Sequence, residues 1–334
     1  MKKFLFVSLA FILLITACKN DLELNAEWKD ITVVYGLLDQ RDTIQYLKIN
    51  KAYLGEGNAL LMAQIPDSST YYNNLDVKIE EWNNQTLKRT ISFDTTTIYN
   101  KESGTFYFPN QVIYKSKEKL DLLNNENIEY RLAITNKLTG KIIAAKTKLI
   151  STFYVSKPFR NPVTPTIGFS SSNPAEIIFN PANNGKYYQV YFRFNYSEQD
   201  KNTMIVTNKY CDLFVNEVVY DNIAKEIKLS YVGENLYAML KSKIPYNPNM
   251  IRKIKDGEEI ELIIYVANDD FYTYMQAVKP STGITQDKPE FTNIENGIGI
   301  FASRYYIKLG YNLSNPSLDS LYSGRYTKDL GFQQ

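Results

Sequence analysis

Histidine is absent from this chain of 334 residues, and cysteine nearly so, with Cys18 and Cys211 the only two. The first absence removes Ser-His-Asp and Cys-His nucleophile systems, together with His-ligated zinc or iron. The second leaves too few thiolates for a Cys-rich metal centre. Carboxylate pairs and Ser-Lys dyads survive these exclusions. The one S-x-x-K spacing, Ser116 to Lys119, lies in the charged run 115–119 and reads as a solvated loop. No spacing of acids singles out a pair facing one another across a cleft. A surplus of either charge is missing too, with 38 basic against 36 acidic residues. Nucleic acid is therefore not an expected partner, since phosphate binding needs a basic surplus on one face. Long apolar runs are confined to the first residues, so no later segment is expected to cross a membrane as a helix.

What the chain does have begins at its first residues. Lys2 and Lys3 precede an unbroken apolar and small-residue run from Phe4 to Ile15. That run has the length of a signal h-region and is too short to span a bilayer. Ile15-Thr16-Ala17-Cys18 resembles a bacterial lipobox, which implies cleavage after residue 17 and a diacylglyceryl group on Cys18. Two acyl chains give stable attachment where one binds marginally. The alternative is an ordinary secretory signal with an incidental cysteine. Lys19-Asn20-Asp21-Leu22-Glu23 is similar to the lysine-plus-acid export signals of Bacteroidota lipoproteins, which implies outer-membrane attachment and surface exposure. Without Lys2 and Lys3 the 38 basic residues fall to 36, equal to the acids. With Cys18 lipidated, Cys211 has no intramolecular disulfide partner, so stability must come from packing.

Period-two alternation dominates the mature chain. Ile31–Leu38 reads as a core strand, and Leu75, Val77 and Ile79 alternate with charged residues before a turn at Asn83-Asn84. Ile128, Tyr130, Leu132 and Ile134 form a half-buried strand. Asn136–Lys141 supplies a hairpin connection, and Ile143, Ala145 and Thr147 lie on the return strand. Pro158, Pro162, Pro165 and Pro174 crowd the next stretch with Ser170–Ser172, favouring a connector over a central strand. Strands resume with Tyr188, Val190, Phe192, Phe194 and Tyr196 on one face, then Ile227–Tyr231 and Ile260–Val266. Helical spacing marks Glu234–Lys243 and Asp269–Val278. Asn268 is placed to cap the latter, with Asp269 and Asp270 in its first turn. Calcium ligation by Asn268–Asp270 is the weaker reading, because the spaced oxygens of a calcium loop are missing.

The expected organisation is a signal at 1–17, a lipidated tether at 18–25 and a β-sandwich at 26–150. A connector follows at 151–174, then a mainly-β domain at 175–311 and a tail at 312–334. The fold class is mainly β: two antiparallel sandwiches, immunoglobulin- or fibronectin-like, with a few short helices in the second. Gly55-Glu56-Gly57-Asn58 is a candidate binding loop, against the plainer reading of a surface turn. The 27 tyrosines invite a glycan-stacking reading, although tyrosine is also a favoured strand residue.

Asp270–Met275 followed by Phe291-Thr292-Asn293-Ile294-Glu295-Asn296-Gly297-Ile298-Gly299-Ile300-Phe301 resembles a large family of uncharacterised Bacteroidota lipoproteins. That family carries a domain of unknown function with an aromatic-rich helix before a "SNIENGLGIF"-like segment. The early strand Thr32–Gly36 and the lipobox fit as well. Departures are Thr292 for serine and Ile298 for leucine. The resemblance implies a non-enzymatic accessory lipoprotein of the outer membrane, docking on a TonB-dependent receptor or another envelope assembly. It brings no catalytic residue, and no cofactor is expected. On its own chemistry, Asn293–Phe301 reads as a turn feeding a strand, its glycines marking tight packing. The alternative function is direct capture of a glycan or peptide at the cell surface. Docking calls for an exposed aromatic patch on a flat sheet face, and capture for one in a concave pocket. A histidine-free hydrolase is the third class.

Overall fold

The structure is a computed structural model that describes residues 31–52, 58–120, 127–170, 172–255, 257–279 and 290–333. The signal, Cys18 with its tether, and Gly55, Glu56 and Gly57 of the candidate loop lie outside the described residues. The first half carries β1 (Ile31–Leu38), β2 (Gln45–Ala52), α1 (Ala59–Met62), α2 (Pro66–Ser69), β3 (Leu75–Asn83), β4 (Thr86–Ile98), β5 (Gln111–Ser116), β6 (Ile128–Asn136) and β7 (Ile142–Thr147). Then come β8 (Val155–Lys157), β9 (Thr166–Ile167), β10 (Pro174–Phe179), β11 (Tyr187–Asp200), β12 (Val206–Val219) and β13 (Ile227–Val232). The rest is α3 (Glu234–Lys243), β14 (Met250–Ile254), β15 (Ile260–Ala267), α4 (Asp269–Val278), β16 (Gly297–Leu313) and α5 (Asn315–Ser323).

The chain is mainly β, and alternation sets the faces. In β6, Ile128, Tyr130, Leu132 and Ile134 are buried while the residues between them are half-exposed. Turns follow their chemistry: Asn84 and Gly140 take positive φ (54° and 71°) at the hairpin ends where the sequence places them. Asn268 caps α4 by accepting from Phe271 N at 3.1 Å, as its position before the helix predicts.

The sheet is mixed, which corrects the expectation of two wholly antiparallel sandwiches. Among the described residues thirteen strands form one sheet, with the path β12-β11-β15-β16-β1-β2-β5-β4-β3-β6-β7. Its junction is a parallel pair, β1 beside β16, from Thr32 opposite Gly297 to Leu38 opposite Ser303. Parallel neighbours need a long crossover, and here most of the chain intervenes, so local alternation carries no sign of the pairing. β7 then returns to the start of β16 through an Ala144–Glu295 bridge, and the first-half strands wrap their core in a sandwich-like way. A small sheet, β13-β10-β8, packs in the second half. Residues 151–174, expected as a connector, hold β8, β9 and the start of β10. The short helices are not confined to the second half, since α1 and α2 follow β2.

Two hydrophobic cores result. One gathers Val34, Leu47, Ile79, Ile91, Leu132 and Ile143 with Ile294 and Phe301. The other gathers Tyr188, Phe192, Phe194, Leu236, Leu262 and Tyr311 with Leu330 and Phe332 from the last residues. β16 serves both: Phe301 points into the first, and Tyr305, Tyr311 and Leu313 into the second. Its even-numbered residues therefore face outward. There α4 packs over the strand, with Tyr274 edge-on to Tyr35 at 6.4 Å.

Candidate functional site: a lysine-lined cleft

The segment that carries the family resemblance is a backbone device. Asn293 folds back on Phe301, its Oδ1 accepting from Phe301 N (2.9 Å) and its Nδ2 donating to Phe301 O (2.7 Å). Asn296, at φ 59°, turns the chain into β16. A Cβ on Gly297 would stand 2.7 Å from Thr32 O, and one on Gly299 2.0 Å from Val34 O. Gly299 also holds φ +114°, where side chains are strained. These residues bring β16 against β1, the role that the isolated glycines suggest.

On the outward side of that junction lies a cleft. Val33 and Tyr35 of β1, Lys48 and Asn50 of β2, Gln111 of β5 and Ile298 of β16 contribute to it. The α1–α2 segment and the loop between β4 and β5 form the other wall, with Leu60, Phe106 and Tyr107. The cavity measures about 570 Å³. A more open hollow of about 770 Å³ continues from it over Tyr46, Ile98, Tyr99 and Ile113, and shares Tyr35, Lys48 and Gln111. The register explains the lining. Tyr35 stands opposite Lys48, and Thr96 opposite Ile113, so that one face of four strands turns the same way.

Among its described residues the cleft is electrostatically one-sided. Lys48, Lys51 and Lys101 line the cavity, Lys48 and Lys115 line the hollow, and neither has an Asp or Glu among its described lining residues. Lys51 Nζ donates to Asp67 O at 2.9 Å and Lys101 Nζ to Tyr107 O at 2.7 Å. Lys48 makes no hydrogen bond or ion pair among the described residues. Burial pushes its ammonium pKa down, and the nearby Lys101 charge adds in the same direction. A half-buried cation without a counter-charge is a strained arrangement that an incoming anion relieves.

Of the predicted loop, Asn58 alone is described. Its Oδ1 accepts from Leu60 N at 2.9 Å and its carbonyl from Leu61 and Met62, so it caps α1. The loop nevertheless joins two residues of the cleft wall, Ala52 and Leu60. Sequence reasoning missed Tyr35 and Lys48 as site residues.

The same outward face carries a second feature beyond α4. Phe214 (β12), Tyr191 (β11), Tyr265 (β15) and Tyr306 (β16) run across four strands, with ring centroids 5.3, 5.9 and 5.7 Å apart. Arg41 stacks on Tyr306 at 3.6 Å. Phe214, Tyr265 and Tyr306 are 40–48% exposed, an aromatic row on the sheet face. Elsewhere, Ser116 Oγ accepts from Glu118 N at 3.3 Å and makes no bond to Lys119. Among the described residues no three Cys, Asp or Glu side chains converge as metal ligands.

No protein-family model matches the chain, and no curated protein does. Among solved structures it is similar to the C-terminal globular domain of oligosaccharyltransferase from Pyrococcus abyssi, at 10% identity and a TM-score of 0.26. The alignment covers 70% of this chain and 47% of that one. The chain thus spans about half the length of that structure, and a likeness this slight carries no argument.

Proposed function

We propose that this chain is a non-enzymatic lipoprotein, held on the outer membrane through Cys18, that captures a ligand in the cleft over the β1–β16 junction. The observation that carries the reading is the half-buried Lys48, without a partner among the described residues, in an aromatic-walled concavity. A cavity of about 570 Å³ falls within the range of small-ligand sites. Lysines line it where a two-carboxylate hydrolase would need acids, which argues against hydrolysis there. The lipobox-like tetrapeptide and Lys19–Glu23 support export and anchoring, and the Asn293–Phe301 motif supports kinship with the Bacteroidota lipoprotein family. We read the two cores as two sandwich units of the immunoglobulin or fibronectin kind, sharing β16 as a rigid seam that presents the cleft away from the membrane.

Native mass spectrometry of the chain purified from its own envelope tests capture. A bound small molecule or peptide in near-equal amount is expected, and Ile298→Trp, which fills the cleft, should lose it. Retention of the same molecule by Ile298→Trp would refute the assignment of the cleft.

The accessory role is the second reading, favoured by the exposed aromatic row Phe214–Tyr191–Tyr265–Tyr306 on the sheet face. Exposed aromatic residues of this kind are enriched where protein partners meet. Cross-linking in the native cells should then recover one β-barrel receptor in near-equal amount. Tyr306→Ser should lower that recovery, and undiminished recovery would take the row out of the interface.

A further inference from the structure

We propose that the ligand of the cleft is a carboxylate on an aromatic or aliphatic body, with Lys48 Nζ as its counter-charge. The inference rests on the capture reading and specifies its chemistry.

The lining cations set the sign of the ligand's charge. Lys51 and Lys101 are tied to the carbonyls of Asp67 and Tyr107, and each helps to hold a wall of the cleft in place. Lys48 is the cation of the cavity with no partner among the described residues. It stands on β2 opposite Tyr35, between β1 and β5. Its ammonium is the head left in the cavity to meet a carboxylate, while Lys51 and Lys101 keep their charges and make the site more positive.

The donor chemistry favours carboxylate over phosphate. Phosphate is usually met by several donors together, lysine joined by arginine forks, clustered backbone N–H groups or the start of a helix. Among the described residues no arginine lines the cavity or the hollow, and the helices at the rim, α1 and α2, are four residues each. An ammonium on a flexible stem meets a carboxylate as a point charge, and Gln111 offers a neutral polar group beside it, while Asn50 Nδ2 is tied to Ser69 O at 3.0 Å. The remaining wall is apolar or aromatic, from Val33, Leu60, Phe106 and Ile298 to the rings of Tyr35 and Tyr107. A hydrophilic ion such as acetate would leave that surface unused. The body of the ligand is therefore apolar and large enough to fill a good part of about 570 Å³.

A carboxylate of this kind comes either from a free organic acid or from the end of a peptide. The test uses the mature chain with Cys18→Ser, so that no lipid competes, and four probes in two matched pairs. These are 4-phenylbutyrate with its primary amide, and N-acetyl-Ala-Ala-Phe with a free or an amidated C-terminus. Calorimetry gives affinity, and methyl resonances of Val33, Ile113 and Ile298 report the place of binding. The expected result is binding of at least one acid about tenfold or more tighter than its amide, a difference of about 1.4 kcal/mol. Lys48→Met should erase that gap, and Lys48→Arg should keep it. Tighter binding of the peptide acid assigns a peptide end, and tighter binding of phenylbutyrate a free acid. Equal binding of acid and amide overturns the carboxylate and leaves capture standing. A gap that survives Lys48→Met overturns Lys48 as the counter-charge. If none of the four moves the cleft methyls at millimolar concentration, capture itself falls.

Discussion

Replacing Gly299 by alanine should cost the first half of the fold about 3–5 kcal/mol, a figure that can be built from the geometry. At φ +114° an L side chain is strained by about 1–3 kcal/mol. The new Cβ would stand 2.0 Å from Val34 O, whereas ordinary contact begins near 3.4 Å. The obstacle is backbone on the neighbouring strand, so no side chain can turn aside. β1 and β16 must part locally, and ladder bonds at the parallel junction stretch out of range. Two such bonds at about 1 kcal/mol each add about 2 kcal/mol. Gly104→Ala is the control: nothing lies within 4 Å of a Cβ there, and a change within about 0.5 kcal/mol is expected. Urea unfolding of the Cys18→Ser chain, followed by tryptophan fluorescence, gives the comparison, since Trp82 sits on β3 in the first half. A loss below about 1 kcal/mol for Gly299→Ala, with an unchanged far-ultraviolet spectrum, would refute the account of the junction.

Other sites give sharp expectations. Arg252 is 1% exposed and pairs with Glu198 at 2.8 Å while donating to Leu330 O. Arg252→Met should cost about 3–5 kcal/mol in urea unfolding, because a mostly buried carboxylate loses a partner. Burial pushes the Glu198 carboxyl pKa up, but Lys209 and Arg252 outweigh it and hold it below the ordinary value near 4.5. Its contribution is thus complete above pH 4.5 and lost as pH falls through the depressed value. The stability gap between wild type and Glu198→Gln should be full at pH 7 and close in acid, and a gap that widens in acid would contradict the pairing. Burial raises the Cys211 thiol pKa, so in the Cys18→Ser chain it should react with a disulfide reagent at pH 8 at least tenfold more slowly than after unfolding. Asn268→Ala removes the cap of α4 and a bond to Thr147 Oγ1 (3.1 Å), for an expected loss of about 1–2 kcal/mol.

What could be read from the sequence was local. The strands β3, β6, β11 and β15 announce themselves because each keeps one face in a core, and period two records that. The helices α3 and α4 fall on the residues that helical spacing assigns, and the Asn268 cap follows from residue type and position. Tyrosine was less legible: Tyr130 and Tyr188 are buried while Tyr265 and Tyr306 are exposed, and nothing local separates them. The cleft was illegible for a deeper reason. Tyr35, Lys48, Phe106 and Ile298 meet through the β1–β16 pairing and the passage from β2 to β5, both long-range. Lys48 in an alternating strand reads as an ordinary solvent-facing lysine until the loop between β4 and β5 is seen beside it.

The motif and the cleft are two sides of one strand pair, and this bears on what a resemblance can imply. Gly297 and Gly299 let β16 approach β1, and between them Ile298 points outward into the cleft opposite Val33. Asn293 and Asn296 fix where β16 begins, and hence which outward residue meets Tyr35. None of these groups presents a charge to a ligand. The charge comes from β2 and the β4–β5 loop, elements on which the motif places no demand. A chain may keep the Asn293–Phe301 pattern, and with it the junction, while residues at positions 48 and 101 change the ligand altogether. On the capture reading, the motif therefore speaks for the scaffold, and Lys48 with its neighbours for the ligand. Gly299→Ala should accordingly weaken every ligand of the cleft, anion and amide alike, by moving Ile298. Lys48→Met should weaken anions alone. If Gly299→Ala changed the preference between acid and amide while leaving stability intact, this separation of scaffold from specificity would fail.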